Sequence, residues 1–282
     1  MAVLEPYKHG YYLWKYLPSV PAAALFCVVF LIGTSLLIWR IWKTRTWMAT
    51  PFAIGGFMEF VGFAARASAH NKTGKLMPFV MQNNMILLAP VLFAASIYMV
   101  LGRVIRATKG EAHSIIKPRR LTRLFVTGDS LSLAIQGTGG GLMVVAEYGK
   151  VAQAIVIVGL VFQIVIFGLF CTTAFLFHRR MGQDPVTEYV TGDIEWEPIL
   201  YMLYAVSVLI MLRSLFRVVE FIMGADGYLL STEWPLYVFD AVPMLLAMVA
   251  YWRWFPSTLQ SSGSRLSGTS LSHLTTSRMD SK

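Results

Sequence analysis

Apolar residues gather in seven long runs, and polar residues fall mostly between them. The runs cover roughly 20–39, 49–67, 79–101, 124–146, 152–177, 199–223 and 234–254. Each approaches the ~20 residues a helix needs to cross a hydrocarbon core of about 30 Å. None shows the period-two alternation of a membrane-spanning strand. A helix in lipid satisfies its backbone groups internally, so the pattern predicts an all-α integral membrane protein with a seven-transmembrane-helix bundle. Residues 1–19 then form an N-terminal segment, 20–256 the membrane domain and 257–282 a tail. The tail has 13 Ser or Thr among its 26 residues and no apolar periodicity. Such a composition predicts disorder.

Composition sharpens the class. Hydrophobic residues make up 56% of the 282 positions and charged residues 14%, against about 25% charged in soluble domains. The first run is long enough to stay as an anchor rather than a cleaved signal. Cys27 and Cys171 lie inside predicted helices and read as buried thiols.

The basic residues set an orientation. With seven spans, five of them (Lys8, Lys15, Lys72, Lys75, Lys150) fall on one side. Sixteen fall on the other: Arg40, Lys43, Arg45, Arg103, Arg106, Lys109, Lys117, Arg119, Arg120, Arg123, Arg179, Arg180 and four from Arg253 onward. The positive-inside rule makes the second side cytoplasmic, so the N-terminus is expected outside and the C-terminus in the cytoplasm. The plasma membrane is the expected location. Asn71-Lys72-Thr73 is a glycosylation sequon on the predicted outer side. The net charge of +9 is thus a topology signal, and no nucleic-acid partner is expected.

The basic residues left over, Arg66, Arg213 and Arg217, lie inside helices, as do Glu59, Asp129, Glu220 and Asp240. Intramembrane charges usually face a bundle interior or a water-filled cavity. Arg213, Arg217 and Glu220 are spaced i, i+4, i+7 and share one helical stripe. Gln82 and Asn83 add amides at the start of helix 3, and Gln136 stands seven residues after Asp129. The expected site is a polar, mostly charge-paired cavity biased toward the outer leaflet. It is built from Glu59, Arg66, Gln82, Asn83, Asp129, Gln136, Arg213, Arg217, Glu220 and Asp240. Interhelical hydrogen bonding is the competing role for Asn83, Asn84 and Gln163, and snorkelling for Arg66 and Glu220. Glu220 can pair with Arg217 within the helix. Arg213 needs a partner on another helix, either Glu59 or Asp240. Gly137 and Gly141 fit close helix packing. Pro90 and Pro243 are expected to free carbonyls and kink helices 3 and 7.

Other chemistries lack their residues. No Walker A sequence is present. The five histidines lie in loops, tails or at a helix end, so neither a metal site nor a catalytic zinc is expected. Helix 7 has no lysine for a retinal Schiff base. No cofactor is expected, and the chain does not read as an enzyme.

Six stretches carry a resemblance: "EFVGFAAR" (59–66), "QNNMILLAPVLFAASIYMVLGRVI" (82–105), "GDSLSLAIQGTGGG" (128–141), "GLVFQIVIFGLF" (159–170), "RSLFRVVEFIMGADGYLLSTEWPLYVFD" (213–240) and the Pro256 ending. Together they resemble the fungal seven-helix lipid-translocating exporters. That family includes a sphingoid long-chain-base exporter and proteins linked to resistance to 7-aminocholesterol and other amphiphiles. The resemblance runs from about residue 20 to 256. It implies seven spans, an outside N-terminus and the movement or sensing of amphiphilic lipids, with no set of functional residues to carry over. The expected partner is a lipid or amphiphilic small molecule, a sphingoid base or a toxic amphiphile, that the protein exports to confer resistance. The alternative is a receptor-like lipid sensor or regulator without transport.

Overall fold

The computed structural model describes residues 14, 16–70, 73–108, 110, 114, 116–143, 148–183, 196–224 and 227–256. Asn71 and the Ser/Thr-rich tail 257–282 lie outside the described residues. Seven long helices follow one another: α1 (Val20–Thr44), α2 (Thr50–Ala69), α3 (Leu76–Ala107), α4 (Pro118–Leu142), α5 (Gly149–Met181), α6 (Glu197–Ile222) and α7 (Leu236–Arg253). No strand occurs among the described residues.

Each of the seven apolar intervals holds a long helix among its described residues, and six of the helices are long and apolar enough to cross a membrane. The exception is α4. Its run was expected to begin at residue 124, but the helix starts at Pro118, where the missing N–H of proline costs nothing. Its first turns therefore carry basic residues, and Asp129, Ser130, Ser132, Gln136 and five glycines lower the apolar content of the rest.

Each helix packs against the next in sequence, and α1 meets α7 to close the ring. α3 also reaches α6 across the bundle. Burial follows this order: 67% of the apolar window of α3 is buried, against 22% of that of α1. The outer face of α1 presents Leu25, Val28, Leu31, Ile32 and Trp42, a contiguous apolar surface suited to lipid. Cys27 and Cys171 are free thiols, partly rather than fully buried, and both pack against the main hydrophobic core.

Aromatic stacks fill the interior. Phe52 lies between Phe93 and Tyr251, with ring centroids 4.1 and 4.0 Å away. Close approach of α2 to α3 depends on two glycines. A Cβ at Gly55 would stand 2.7 Å from the Phe93 ring, and one at Gly62 would stand 2.6 Å from Ile86 Cγ1. The glycine seam of α4 differs from the expected one. Gly137 and Gly141 have open space around them, whereas a Cβ at Gly139 would stand 2.6 Å from Val156 on α5. Gly139 is three residues past Gln136 and seven past Ser132, so it shares their α5-facing side.

These seams predict opposite outcomes for similar substitutions. Gly62→Val overpacks the α2–α3 contact and should cost about 1–3 kcal/mol or more. Gly137→Ala should be neutral or stabilise by up to about 1 kcal/mol. Thermal unfolding of the purified variants, followed by size-exclusion profile, checks both; tolerance of Gly62→Val would refute the packing.

Candidate functional site

The stripe on α6 supplies the centre of the site. Arg213 is 3% exposed and forms an ion pair from Nε to Asp240 Oδ1 on α7. Its Nη2 donates to the Ile86 carbonyl of α3 at 2.8 Å. That carbonyl lies four residues before Pro90, which has no N–H to return to it. A buried carbonyl without a donor is costly, and Arg213 supplies the donor from another helix.

The position of Asp240 also rests on a proline. Pro243 cannot donate to the carbonyl of Phe239, and the preceding turn widens into a π-helical stretch, Leu236–Ala241. Val242 N–H then reaches back five residues to Tyr237 O. The kink expected at Pro243 is realised as this wide turn, and Asp240 lies in it. Of the two partners open to Arg213, the ion pair is with Asp240.

Arg217 Nη1 donates to Glu220 Oε2 at 2.9 Å, within α6. Glu59 on α2 is 1% exposed, and neither of its oxygens has a hydrogen-bond partner. The charges acting on it are those of Arg213, Asp240 and Arg217. Glu59, Glu220 and Asp240 thus face two guanidinium groups in one buried cluster. The cluster is closed around Glu59, Arg213, Glu220 and Asp240, each no more than 4% exposed, and Arg217, with its side chain 15% exposed, stands at its edge. Two grooves on the outside of the bundle lie elsewhere. One of about 380 Å³ is lined by Val61, Ala64, Met77 and Met81, and one of about 230 Å³ by Ile41, Trp47, Ile54 and Phe57.

A second cluster forms around Arg66, seven residues further along α2 and fully buried. Its Nη2 donates to Glu233 Oε1 at 2.8 Å and to Tyr16 Oη at 3.0 Å. Its Nε donates to Tyr237 Oη at 3.1 Å, and its Nη1 to Gln82 Oε1 at 3.3 Å. The guanidinium also lies over the rings of Trp14, Tyr16 and Tyr237. Glu233 in turn accepts from the backbone N–H of Ser19 at 3.0 Å. Arg66 therefore fastens Trp14, Tyr16 and, through Glu233, Ser19 to the start of α7 over one end of the bundle. Burial pushes the Glu233 carboxyl up, but the Ser19 N–H, Arg66 and Tyr237 outweigh it and hold the group below its ordinary 4.5.

The remaining candidates stand apart. Asp129 Oδ2 accepts from Tyr98 Oη at 2.7 Å, joining α4 to α3. Gln136 Nε2 donates to Gln163 Oε1 at 2.9 Å and to Ser132 Oγ at 2.8 Å, joining α4 to α5. Asn83 and Asn84 are exposed on the surface of α3 and face away from both clusters. Sequence reasoning missed Glu233, Tyr16, Trp14 and Tyr237. One signal was present: a lone Arg66 at the end of an apolar helix needs an acid at its own level, and the 224–235 loop holds only Asp226 and Glu233.

Apolar helices of crossing length closed around buried, paired charge make this a multi-pass membrane protein with a polar interior. The chain belongs to the family described as "RTA1 like protein", whose profile matches residues 52–262. It is similar to Protein RTM1 of Saccharomyces cerevisiae, 39% identical over 202 residues, covering 71% of this chain and 65% of that one. It is similar to Protoporphyrin uptake protein 1 of the same yeast, 32% identical over 277 residues, covering 86% of this chain and 91% of the relative. Sphingoid long-chain base transporter RSB1 of Saccharomyces cerevisiae is 24% identical over 260 residues, covering 77% of this chain and 68% of the relative. No solved structure matches. The family match contains both charge clusters except for Trp14, Tyr16 and Ser19.

Two predictions follow from the geometry. Arg213→Ala should destabilise by about 3–5 kcal/mol, because Asp240 is left buried and unpaired. Adding Asp240→Asn should recover much of that loss, and Pro90→Ala should recover a further part by restoring a donor to Ile86. Additive losses in denaturation of the single and combined variants would show that the three residues are not coupled.

The Arg66 fastening should depend on pH with a fixed sign. A carboxylate held below its ordinary value stabilises fully above that value, and the contribution disappears as pH falls through the lowered one. Labelling of a Ser19→Cys thiol, with Cys27 and Cys171 replaced by Ala and the rate divided by that of a free thiol at the same pH to remove the change in thiolate fraction, should be slow at neutral pH and rise only below about pH 4.5. Glu233→Gln should make labelling fast at neutral pH; unchanged labelling in that variant would refute the fastening.

Proposed function

We propose that this protein moves amphiphiles with a lipid tail and a cationic head, of the sphingoid-base type, outward across the plasma membrane, and that this confers resistance to toxic amphiphiles. The observation carrying the reading is the closed charge cluster inside apolar helices, in which one carboxylate, Glu59, has no partner. Glue between helices does not call for an unpaired carboxylate. A cationic head group would complete it, while the tail stays among the apolar faces of the helices. The relative named as a sphingoid long-chain base transporter supports the cargo class. The relative called Protoporphyrin uptake protein 1 is named for a different cargo and for uptake rather than export.

The same reading includes seven spans, with α4 as the fourth, an outside N-terminus and a cytoplasmic C-terminus. Support comes from the basic last turns of α1, α3, α5 and α7, which alternate topology brings to one side. The membrane domain is 20–256, and the tail 257–282 lies in the cytoplasm. The cluster of Glu59, Arg213, Arg217, Glu220 and Asp240 holds the head group. Arg66 and Gln82 close its outer end, and Asp129 and Gln136 hold α4 in place.

The test is release of a labelled sphingoid base from sealed vesicles containing the purified full chain. Wild-type protein should release cargo well above protein-free vesicles. Asp240→Asn should lower release about tenfold or more while Gln163→Leu leaves it unchanged. Saturable binding without release would replace export with the sensor reading.

A further inference from the structure

The cluster around Glu59 has an unequal count of charges. Arg213 is committed to Asp240 and to the Ile86 carbonyl. Arg217 is committed to Glu220. Glu59 remains, with neither oxygen bonded, 1% exposed. Among the described residues it alone of the buried carboxylates has neither a hydrogen bond nor an ion pair.

No further counter-charge is within reach. α6 presents Arg213, Arg217 and Glu220, and α7 presents Asp240. α1 has no charged residue between Val20 and Trp39, and α3 has none between Leu76 and Leu101. α3 contributes the Ile86 carbonyl, which Arg213 already occupies. Arg66, on the same helix as Glu59, is engaged instead by Glu233, Tyr237, Gln82 and Tyr16. With three carboxylates and two guanidiniums, the cluster is complete only with one more unit of positive charge. A bare buried carboxylate is strongly disfavoured and takes a proton or a counter-ion instead.

We propose that Glu59 is an exchange site for one monovalent cation, occupied by a proton in this closed form and by the cationic head group of the amphiphile during transport. One vacancy of charge cannot hold both, so cargo and proton compete. Export then proceeds as a one-for-one exchange. A proton enters on Glu59 as one cationic head group leaves, charge balances in every cycle, and no other coupling ion is needed. The inference rests on the export reading for its cargo, but the proton on Glu59 is testable without it.

The probe is dodecyltrimethylammonium, whose quaternary nitrogen cannot carry a proton. It is loaded in phosphatidylcholine vesicles containing the full chain, with a pH-sensitive dye enclosed. With the outside one pH unit more acidic, wild-type protein should drive the probe out to about a tenfold ratio and acidify the lumen in step. The tenfold figure is the ratio that one unit of proton gradient supports for a one-for-one exchange. Glu59→Gln mimics the protonated side chain and should abolish both the gradient-driven ratio and the proton entry. Probe movement that ignores the gradient in wild-type protein would overturn the exchange while leaving export standing. Failure to move both this probe and a sphingoid base would instead remove the export reading. The proton itself is read by infrared difference spectroscopy. Wild-type protein and Glu59→Asp should show the carbonyl stretch of a protonated carboxyl group that Glu59→Gln lacks. Identical spectra of wild type and Glu59→Gln at neutral and mildly acid pH would overturn the proposal whatever the vesicles do.

Discussion

The bundle turns on one link, from the Ile86 carbonyl through Arg213 to Asp240. In hydrocarbon a backbone carbonyl can be served only by protein. Pro90 withdraws the donor for Ile86, and Pro243 forces the wide turn that contains Asp240. Arg213 joins the two consequences. An arginine at the centre of a lone helix costs about 2.5–3.5 kcal/mol on insertion scales. Here it is met by a carboxylate and a carbonyl, and its removal would leave both without a partner. Two proline defects on α3 and α7 and one buried cation on α6 are therefore a single device holding three helices together.

Much of this was legible from the residues. Long apolar runs located each of the seven long helices, because in a membrane length and hydropathy leave few alternatives. The i, i+4, i+7 spacing placed Arg213, Arg217 and Glu220 on one stripe, and depth restricted the partner of Arg213 to Glu59 or Asp240. The choice between those two was not legible. It depends on how far the π turn rotates Asp240, and a rotation set by backbone hydrogen bonding leaves no trace in hydropathy. Gly139 rather than Gly137 or Gly141 forms the α4–α5 seam for a similar reason: the facing side of α4 is fixed by Gln136 and Ser132, which need Gln163 and the Gly159 carbonyl opposite them. The Arg66 cluster was half legible. Its arginine was visible within a helix, while Glu233 and Tyr16 lie outside the apolar runs, where polarity is ordinary and draws no notice.

The two buried arginine clusters solve the same problem differently. Arg66 spends its donors on side chains, among them an acid that is 17% exposed and two tyrosines. Those partners belong to segments outside the α2 and α3 pair, so the cluster closes one end of the bundle. Arg213 spends its donors on a fully buried acid and a backbone carbonyl of the helices around it, so it holds the interior. The two share α2, on which Glu59 and Arg66 are seven residues or about 10 Å apart. The closed end thus lies two turns from the unpaired carboxylate.

Balance, not merely the presence of charge, separates a functional interior from structural glue. Gln136 with Gln163 is a neutral pairing in which each member found a partner across a helix interface. They can be replaced by apolar packing with little consequence, since membrane contacts of this kind average about 0.6 kcal/mol. The Glu59 cluster is different because three carboxylates meet two guanidinium groups in it and neither oxygen of Glu59 has a hydrogen bond. An evolved interior that only needed stability would gain by replacing Glu59 with an apolar or amide side chain, which removes the unpaired oxygens and leaves Arg213 and Arg217 with their acids. A carboxylate at that point, between the glycines that press α2 against α3, is what the proposed exchange requires: a place for a positive charge that comes and goes.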